Sequence, residues 1–235
     1  VRICVNKILR ILNLSPRNLP SRPMYKKLIL LLLLVKATTA SAQYNWLLKN
    51  NKDGIKVYTS AIPNSKFKAI KVDADLKATP SQMVKVLLDV KACTEWVYHT
   101  KSCVLVKQVS PAELYYYSEV SIPWPVTNRD FVAHLTAKQD EETGVVTVDG
   151  PVVSGMVPGK DGIVRVTTSK GLWLITPKGK GEINVVYTLQ LDPGGNIPAW
   201  LINLFATEGP TNSFNALKEQ IKKPQYLGGL PFIKD

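Results

Sequence analysis

Alternation dominates this chain. Between residues 55 and 191, apolar and polar side chains exchange places at every second position, the mark of half-buried strands. Such segments fall at 55–60, 66–76, 102–109, 113–121, 129–138, 145–153, 163–175 and 182–191. The links carry turn residues, as in Ser110-Pro111, Glu142-Thr143-Gly144 and residues 177–181. Links that short join antiparallel neighbours. Three stretches leave the two-residue period. Residues 44–51 read as a short helix ending near Gly54. Thr79-Pro80 opens a second helix that runs to about Lys91, with Met83, Val84, Val86, Leu87 and Leu88 apolar. Near the end, Asn196 can cap a helix, and Pro198 stands where its missing N–H costs nothing. That last helix carries Leu201, Leu204, Phe205, Phe214, Leu217 and Ile221 at helical spacing, and Pro210 should kink it near its middle. The expected class is α+β: one mainly antiparallel sheet with helices at both ends of the sequence.

Strand parity then sorts side chains by face. In 129–138 the inner set is Phe131, Ala133, Leu135 and Ala137, and the outer set is Asp130, Val132, His134, Thr136 and Lys138. In 113–121 the inner set is Leu114, Tyr116, Ser118 and Val120, and in 182–191 it is Ile183, Val185, Tyr187, Leu189 and Leu191. These faces mix large apolar residues with a few small or hydroxylated ones. For any single residue, core packing is the simpler account. A ligand cavity, however, uses a few hydroxyls to orient its guest. Adjacent Arg129 and Asp130 point to opposite faces and should not pair with each other. Their expected role is to hold the strand entry through hydrogen bonds to neighbouring loops, with a polar clamp near a ligand as the alternative.

Net charge looks informative and is not. The chain is +12, from 30 basic and 18 acidic residues. Residues 1–42 hold eight of the basic residues and no acid, which leaves 22 against 18, or +4, over the remaining 193 residues. Residues 24–42, MYKKLILLLLLVKATTASA, have a basic start, an apolar run over Leu28–Val35 and a small-residue cleavage site at Ala40-Ser41-Ala42. That is the layout of a signal peptide, and the run is too short to cross a bilayer. Residues 1–23 read as an upstream extension before the true start at Met24, and residues 43–235 as a single domain. The expected location is outside the cytoplasm, periplasmic or secreted. Basicity that might have suggested nucleic acid lies mostly in the leader.

Candidate chemistry is sparse. Beyond the leader only Cys93 and Cys103 remain, ten residues apart, an even number that can pair in an exported protein. A reactive thiol is the alternative. The two histidines, His99 and His134, fall in no Ser-His-acid or Cys-His pattern, and Gly194-Gly195 lacks the spacing of a nucleotide loop. No catalytic residue, metal site or cofactor is expected.

Two segments carry a resemblance. Residues 122–132, IPWPVTNRDFV, and residues 191–203, LDPGGNIPAWLIN, resemble the paired motifs of the StAR-related lipid-transfer (START) domain family, P-x-P-x-x-N-R-D-[FY]-V and P-G-G-x-I-P-x-W-L-I-N. The likeness covers about residues 44–223. It implies a helix-grip fold, a curved antiparallel sheet wrapped around a long C-terminal helix, and a ligand cavity between them. On that basis the ligand-contacting residues are expected to be Tyr116, Ser118, Val120, Phe131, Ala133, Leu135, Tyr187 and Leu189 on strands, with Leu201, Phe205, Phe214 and Leu217 on the helix. The expected guest is a lipid or other apolar small molecule, bound by a monomer that touches membranes transiently and has no nucleic-acid partner. A helix-grip enzyme, cyclase- or hydrolase-like, and a small-ligand sensor are the competing classes.

The family's devices for reading polar ligands are altered here. Sterol-binding members place an Arg six residues after the Arg of their R-D-F-V segment, and that position is Leu135. Phosphatidylcholine-binding members carry an Arg three residues before a Trp and an acid just after it. Trp96 aligns with that Trp, and Cys93 and Val97 stand in place of the charges. The turn-rich loop at 155–162 resembles the family's omega loop, so Met156, Val157 and Pro158 are expected to gate the cavity, with Lys160 free to meet a lipid phosphate. Pro123-Trp124-Pro125 reads as a rigid turn with a packed indole.

Overall fold

The computed structural model describes residues 44–195, 197, 198, 201 and 204–235. Residues 1–43, which include the segment expected to be a signal peptide, and the expected cap Asn196 lie outside the described residues, as does the side chain of Leu204.

Among the described residues the sheet has ten strands in the order β1-β2-β3-β10-β9-β7-β6-β5-β4, with β8 paired to β6. The strands are β1 (Leu47–Lys52), β2 (Ile55–Ala61), β3 (Lys68–Lys77), β4 (Thr100–Ser110), β5 (Glu113–Val120), β6 (Arg129–Gln139), β7 (Val146–Pro151), β8 (Val164–Arg165), β9 (Thr168–Gly179) and β10 (Glu182–Asp192). All pairs are antiparallel except β6 with β8. Two strand expectations need correction. Residues 44–51 are not helical: β1 pairs with β2 across Asp53-Gly54, whose φ angles of 54° and 75° form the left-handed pair that a tight hairpin demands. The turn signal outweighs the helix-like run of apolar residues before it. The single strand expected at 163–175 is two strands. After β8 the chain leaves β6 and starts β9 against β7 and β10.

Helix α1 (Pro80–Leu88) starts as read. The Thr79 hydroxyl accepts from the Gln82 N–H (3.3 Å), and the Gln82 side chain accepts from the Thr79 N–H (2.8 Å). This reciprocal box satisfies two donors that a helix start leaves open. A 3-10 turn (Val90–Ala92) leads into the one-turn helix α2 (Cys93–Trp96). The last helix is α3 (Gly209–Gln220), preceded by a π-helical turn over Leu204–Glu208. Pro210 explains the join. It has no N–H to give, so the regular ladder cannot run through it, and the widened turn absorbs the mismatch.

The core is continuous but one-sided. Ile55, Val57, Val72, Ile183 and Val185 on β2, β3 and β10 are fully buried against Leu217, Phe214 and Ile221 of the last helical segment. Met83, Val84 and Val86 of α1 complete it. At the other half of the concave face the inner side chains of β5, β6 and the end of β10 meet a void.

Candidate functional site

A cavity of about 290 Å³ lies between the concave sheet face and the helices. Its walls come from β5, β6, β7, β9 and β10, from α1 and α2, and from the π-turn and start of α3. One strand shows how sequence builds it. On the inner face of β10, Ile183 and Val185 are fully buried in the core, whereas Tyr187, Leu189 and Leu191 border the void. The parity is unchanged; only what stands opposite changes.

Ten of the twelve side chains expected to contact ligand line this cavity: Tyr116, Ser118 and Val120 on β5, Phe131, Ala133 and Leu135 on β6, Tyr187 and Leu189 on β10, and Phe205 and Phe214 on the last helical segment. Two do not. Leu217 is fully buried in the core, because one turn beyond Phe214 α3 has passed the void and packs on β2 and β3. Leu201 is 1% exposed and also stands off the lining.

The floor is aromatic. Trp173 stacks on Tyr187 with ring centroids 4.1 Å apart and on Phe214 at 5.7 Å, and Trp96 meets Trp173 edge-on at 6.2 Å. Tyr116 meets Phe131 edge-on at 5.9 Å. Trp173 was missed by sequence reasoning, as were Gly150 and Gly171, which face each other across β7 and β9. The signal was available: Ser169, Gly171 and Trp173 share the parity of buried Ile175 on β9. The glycines make room. A Cβ on Gly150 would come within 2.8 Å of Leu135 Cδ2, and one on Gly171 within 3.4 Å of the Tyr187 hydroxyl.

Cys93 and Cys103 are joined by a disulfide, with Cα atoms 6.2 Å apart, which ties α2 to β4 and removes the reactive-thiol alternative. Closing a ten-residue separation in the unfolded chain is worth about 2–3 kcal/mol.

Outside the cavity wall, at the start of β6, lies a saturated polar network. Arg129 does not pair with Asp130. It donates to the carbonyls of Thr127, Pro193 and Gly194, fastening the loop before the last helix. Asp130, 1% exposed, accepts two bonds from the Arg165 guanidinium at 2.7 and 3.0 Å. Burial works to raise the Asp130 pKa, but the Arg165 hydrogen bonds and charge prevail and hold it below its ordinary 3.8. Arg165 also donates to the carbonyls of Val157 and Pro158 at 2.9 Å each, so the 155–162 loop is pinned from within.

The loops depart from expectation at Lys160 and Trp124, and the expected gate residues stand beside the cavity. Met156, Val157 and Pro158 do not line the cavity, although Val152 and Val166 on either side of their loop do. Met156 is 39% exposed. Lys160 is already engaged, 4.4 Å above the Tyr117 ring and 3.9 Å from Glu119. The Trp124 indole is not packed but 90% exposed: prolines on both sides stiffen the turn and hold it away from the sheet.

Comparison with known proteins completes the picture. The START domain family matches residues 32–225. An uncharacterised protein of Pseudomonas aeruginosa is 35% identical over 185 residues, covering 76% of this chain and 88% of that one. The phosphatidylcholine transfer protein of Mus musculus is 29% identical over 185 residues, covering 77% and 84%. Among solved structures, a STAR-related lipid transfer protein fragment from Xanthomonas axonopodis superposes with a TM-score of 0.69 at 33% identity, covering 76% of this chain and 99% of that one. Human StAR-related lipid transfer protein 5 shares the fold, with a TM-score of 0.66 at 16% identity over 85% and 95%.

Proposed function

The chain belongs to the START domain family, known for lipid binding and transfer, and from that premise we propose that it shelters a lipid or other apolar small molecule in its cavity and carries it between membranes. The observation that carries this reading is the void itself. An aromatic, largely apolar hollow of about 290 Å³ inside a sheet whose other half is packed solid is what a binding site needs and a structural core avoids. The likeness to the mouse phosphatidylcholine transfer protein and to the Xanthomonas lipid transfer protein points the same way. Exposed Trp124 and Met156 support transient membrane contact. Their loops meet at the start of β6, because β8, which follows the Met156 loop, pairs with Arg129 and Asp130. An indole is well suited to the layer between headgroups and acyl chains. The leader-like segment at 24–42 and the Cys93–Cys103 disulfide support export into an oxidising compartment.

Organic extraction of the purified protein followed by mass spectrometry is the first test. A copurifying apolar molecule, recovered unchanged after incubation, is the expected result. Transfer of that molecule in labelled form from donor to acceptor vesicles then separates a carrier from a sensor. Failure to recover any such molecule, together with no transfer, would overturn the reading. Conversion of the molecule to a product would replace it with an enzymatic one.

A further inference from the structure

Deepening the lipid-binding reading, on which it rests, we infer that the cavity selects an uncharged amphiphile with one short polar group, and that this group is held by the hydroxyls of Tyr116 and Tyr187. Charge comes first. Among the described residues, the lining holds no Lys, Arg or His, and its one ionisable acid is Asp89. The Asp89 carboxylate is already in use, accepting from the Tyr226 hydroxyl at 2.9 Å and from the Ala92 N–H at 3.3 Å. The two guanidiniums at the start of β6 are committed elsewhere, Arg129 to backbone carbonyls and Arg165 to Asp130. A phosphate drawn into this hollow would meet no cation and one fixed negative charge. Burying it so costs several kcal/mol.

A neutral polar group fares differently. Tyr116 and Tyr187 both line the cavity, with their rings fixed edge-on to Phe131 and stacked on Trp173. Each can donate one bond and accept another. Burial pushes the Tyr116 hydroxyl up to about 12, and raises that of Tyr187 too, with the nearby Tyr116 adding to the effect, so both remain protonated donors at neutral pH. Two further lining residues hold buried polar atoms without a partner among the described residues, Trp96 Nε1 and Thr100 Oγ1. Native proteins seldom leave such groups unsatisfied. An alcohol, ketone or ester oxygen would answer the tyrosines without bringing charge.

The test uses two single-chain probes of equal length, 1-decanol and decylphosphocholine, titrated into delipidated protein and followed by calorimetry and by the fluorescence of the tryptophans. The wild type should bind 1-decanol at least tenfold more tightly. The Tyr116→Phe/Tyr187→Phe variant keeps the rings and their stacking. It should lose about tenfold in affinity for 1-decanol, leave decylphosphocholine unchanged, and melt at the wild-type temperature. Equal or tighter binding of decylphosphocholine, or an unchanged affinity of the variant for 1-decanol, overturns the inference and leaves the lipid-binding reading standing. Binding of neither probe, together with no copurifying lipid on extraction, removes that reading and the inference with it.

Discussion

The inner face of β10 has two ends. Ile183 and Val185 at one end have no exposed surface, while Leu189 and Leu191 at the other border an empty space. The residue types, parity and strand are the same. A strand that is correctly patterned for burial therefore does not decide whether it will be packed or left facing a void. That depends on the opposing layer. The packed end is met by Leu217 and Ile221, and the open end by Phe205, Gly209, Pro210 and Ser213, with Phe214 on the boundary. The last helical segment thus acts as a plug at one end and a roof at the other, and the change falls within α3, at Phe214.

The largest expected effect contrasts the two ends directly. Ile183→Ala opens a hole in a filled core and should cost about 3 kcal/mol, a fall in Tm of roughly 6–12 °C for a domain of this size. Leu189→Ala removes a side chain that already borders open space, and should cost less than about 1 kcal/mol while changing ligand affinity. Thermal denaturation with probe titration reads both. Equal losses of stability would mean that the hollow is as tightly filled in solution as the core.

Next comes the scaffold beneath the open end. Asp130→Asn leaves the Arg165 guanidinium without its counter-charge and should cost about 2 kcal/mol. The sign of the pH dependence follows from the lowered pKa. A carboxylate that is harder to protonate when folded adds stability above its unfolded value. That contribution is lost as pH falls from about 4 through the depressed folded value. Wild type should therefore lose stability on acidification below about pH 4 more steeply than Asp130→Asn. Parallel acid-melting curves would show that Asp130 is not the group responsible.

A smaller effect on stability, but a clear one on binding, is expected from Gly150→Ala. The new methyl would come within 2.8 Å of Leu135 Cδ2, the free end of a flexible side chain beside the void. Leucine can rotate inward, so the substitution should be almost neutral for Tm and should lower affinity for 1-decanol several-fold by shrinking the hollow. A drop in Tm with affinity intact would mean that Leu135 has no space to enter.

The sheet was readable because alternation is a local property and turns announce themselves. Seven of the eight expected strands appear essentially where parity puts them; the eighth divides into β8 and β9. Hydroxyls on the inner faces were readable for the same reason, which is why Tyr116 and Tyr187 were found. Other features required the third dimension. Leu217 looks like Phe214 in a helical repeat, and only the limited extent of the void separates them. Trp124 was expected to pack because indoles usually do, but a Pro-flanked turn has no neighbour to pack against. Asp53-Gly54 carries a turn signal, but the apolar residues before it also suit a helix, and only the pairing of β1 with β2 separates the two. Lys160 could not be known to be occupied, since its partners Tyr117 and Glu119 lie on a strand more than forty residues away.

The least stability and the most specific kinetics attach to the loop at the open end. Arg165 holds the carbonyls of Val157 and Pro158, so this loop is fixed through its backbone, while the Met156 side chain is left partly in solvent. Met156→Asp removes no buried contact of consequence and should leave Tm within about 2 °C of wild type, as surface changes usually do. If the side chain enters the bilayer during exchange, a carboxylate there must be dehydrated and also faces anionic headgroups. Ligand transfer to anionic vesicles should then slow several-fold, with affinity in solution unchanged. Trp124→Ala, on the neighbouring turn, should slow it in the same sense by losing interfacial burial. Unaltered transfer in both variants would detach this end of the molecule from membrane docking, and leave its exposed indole as a surface feature without a partner.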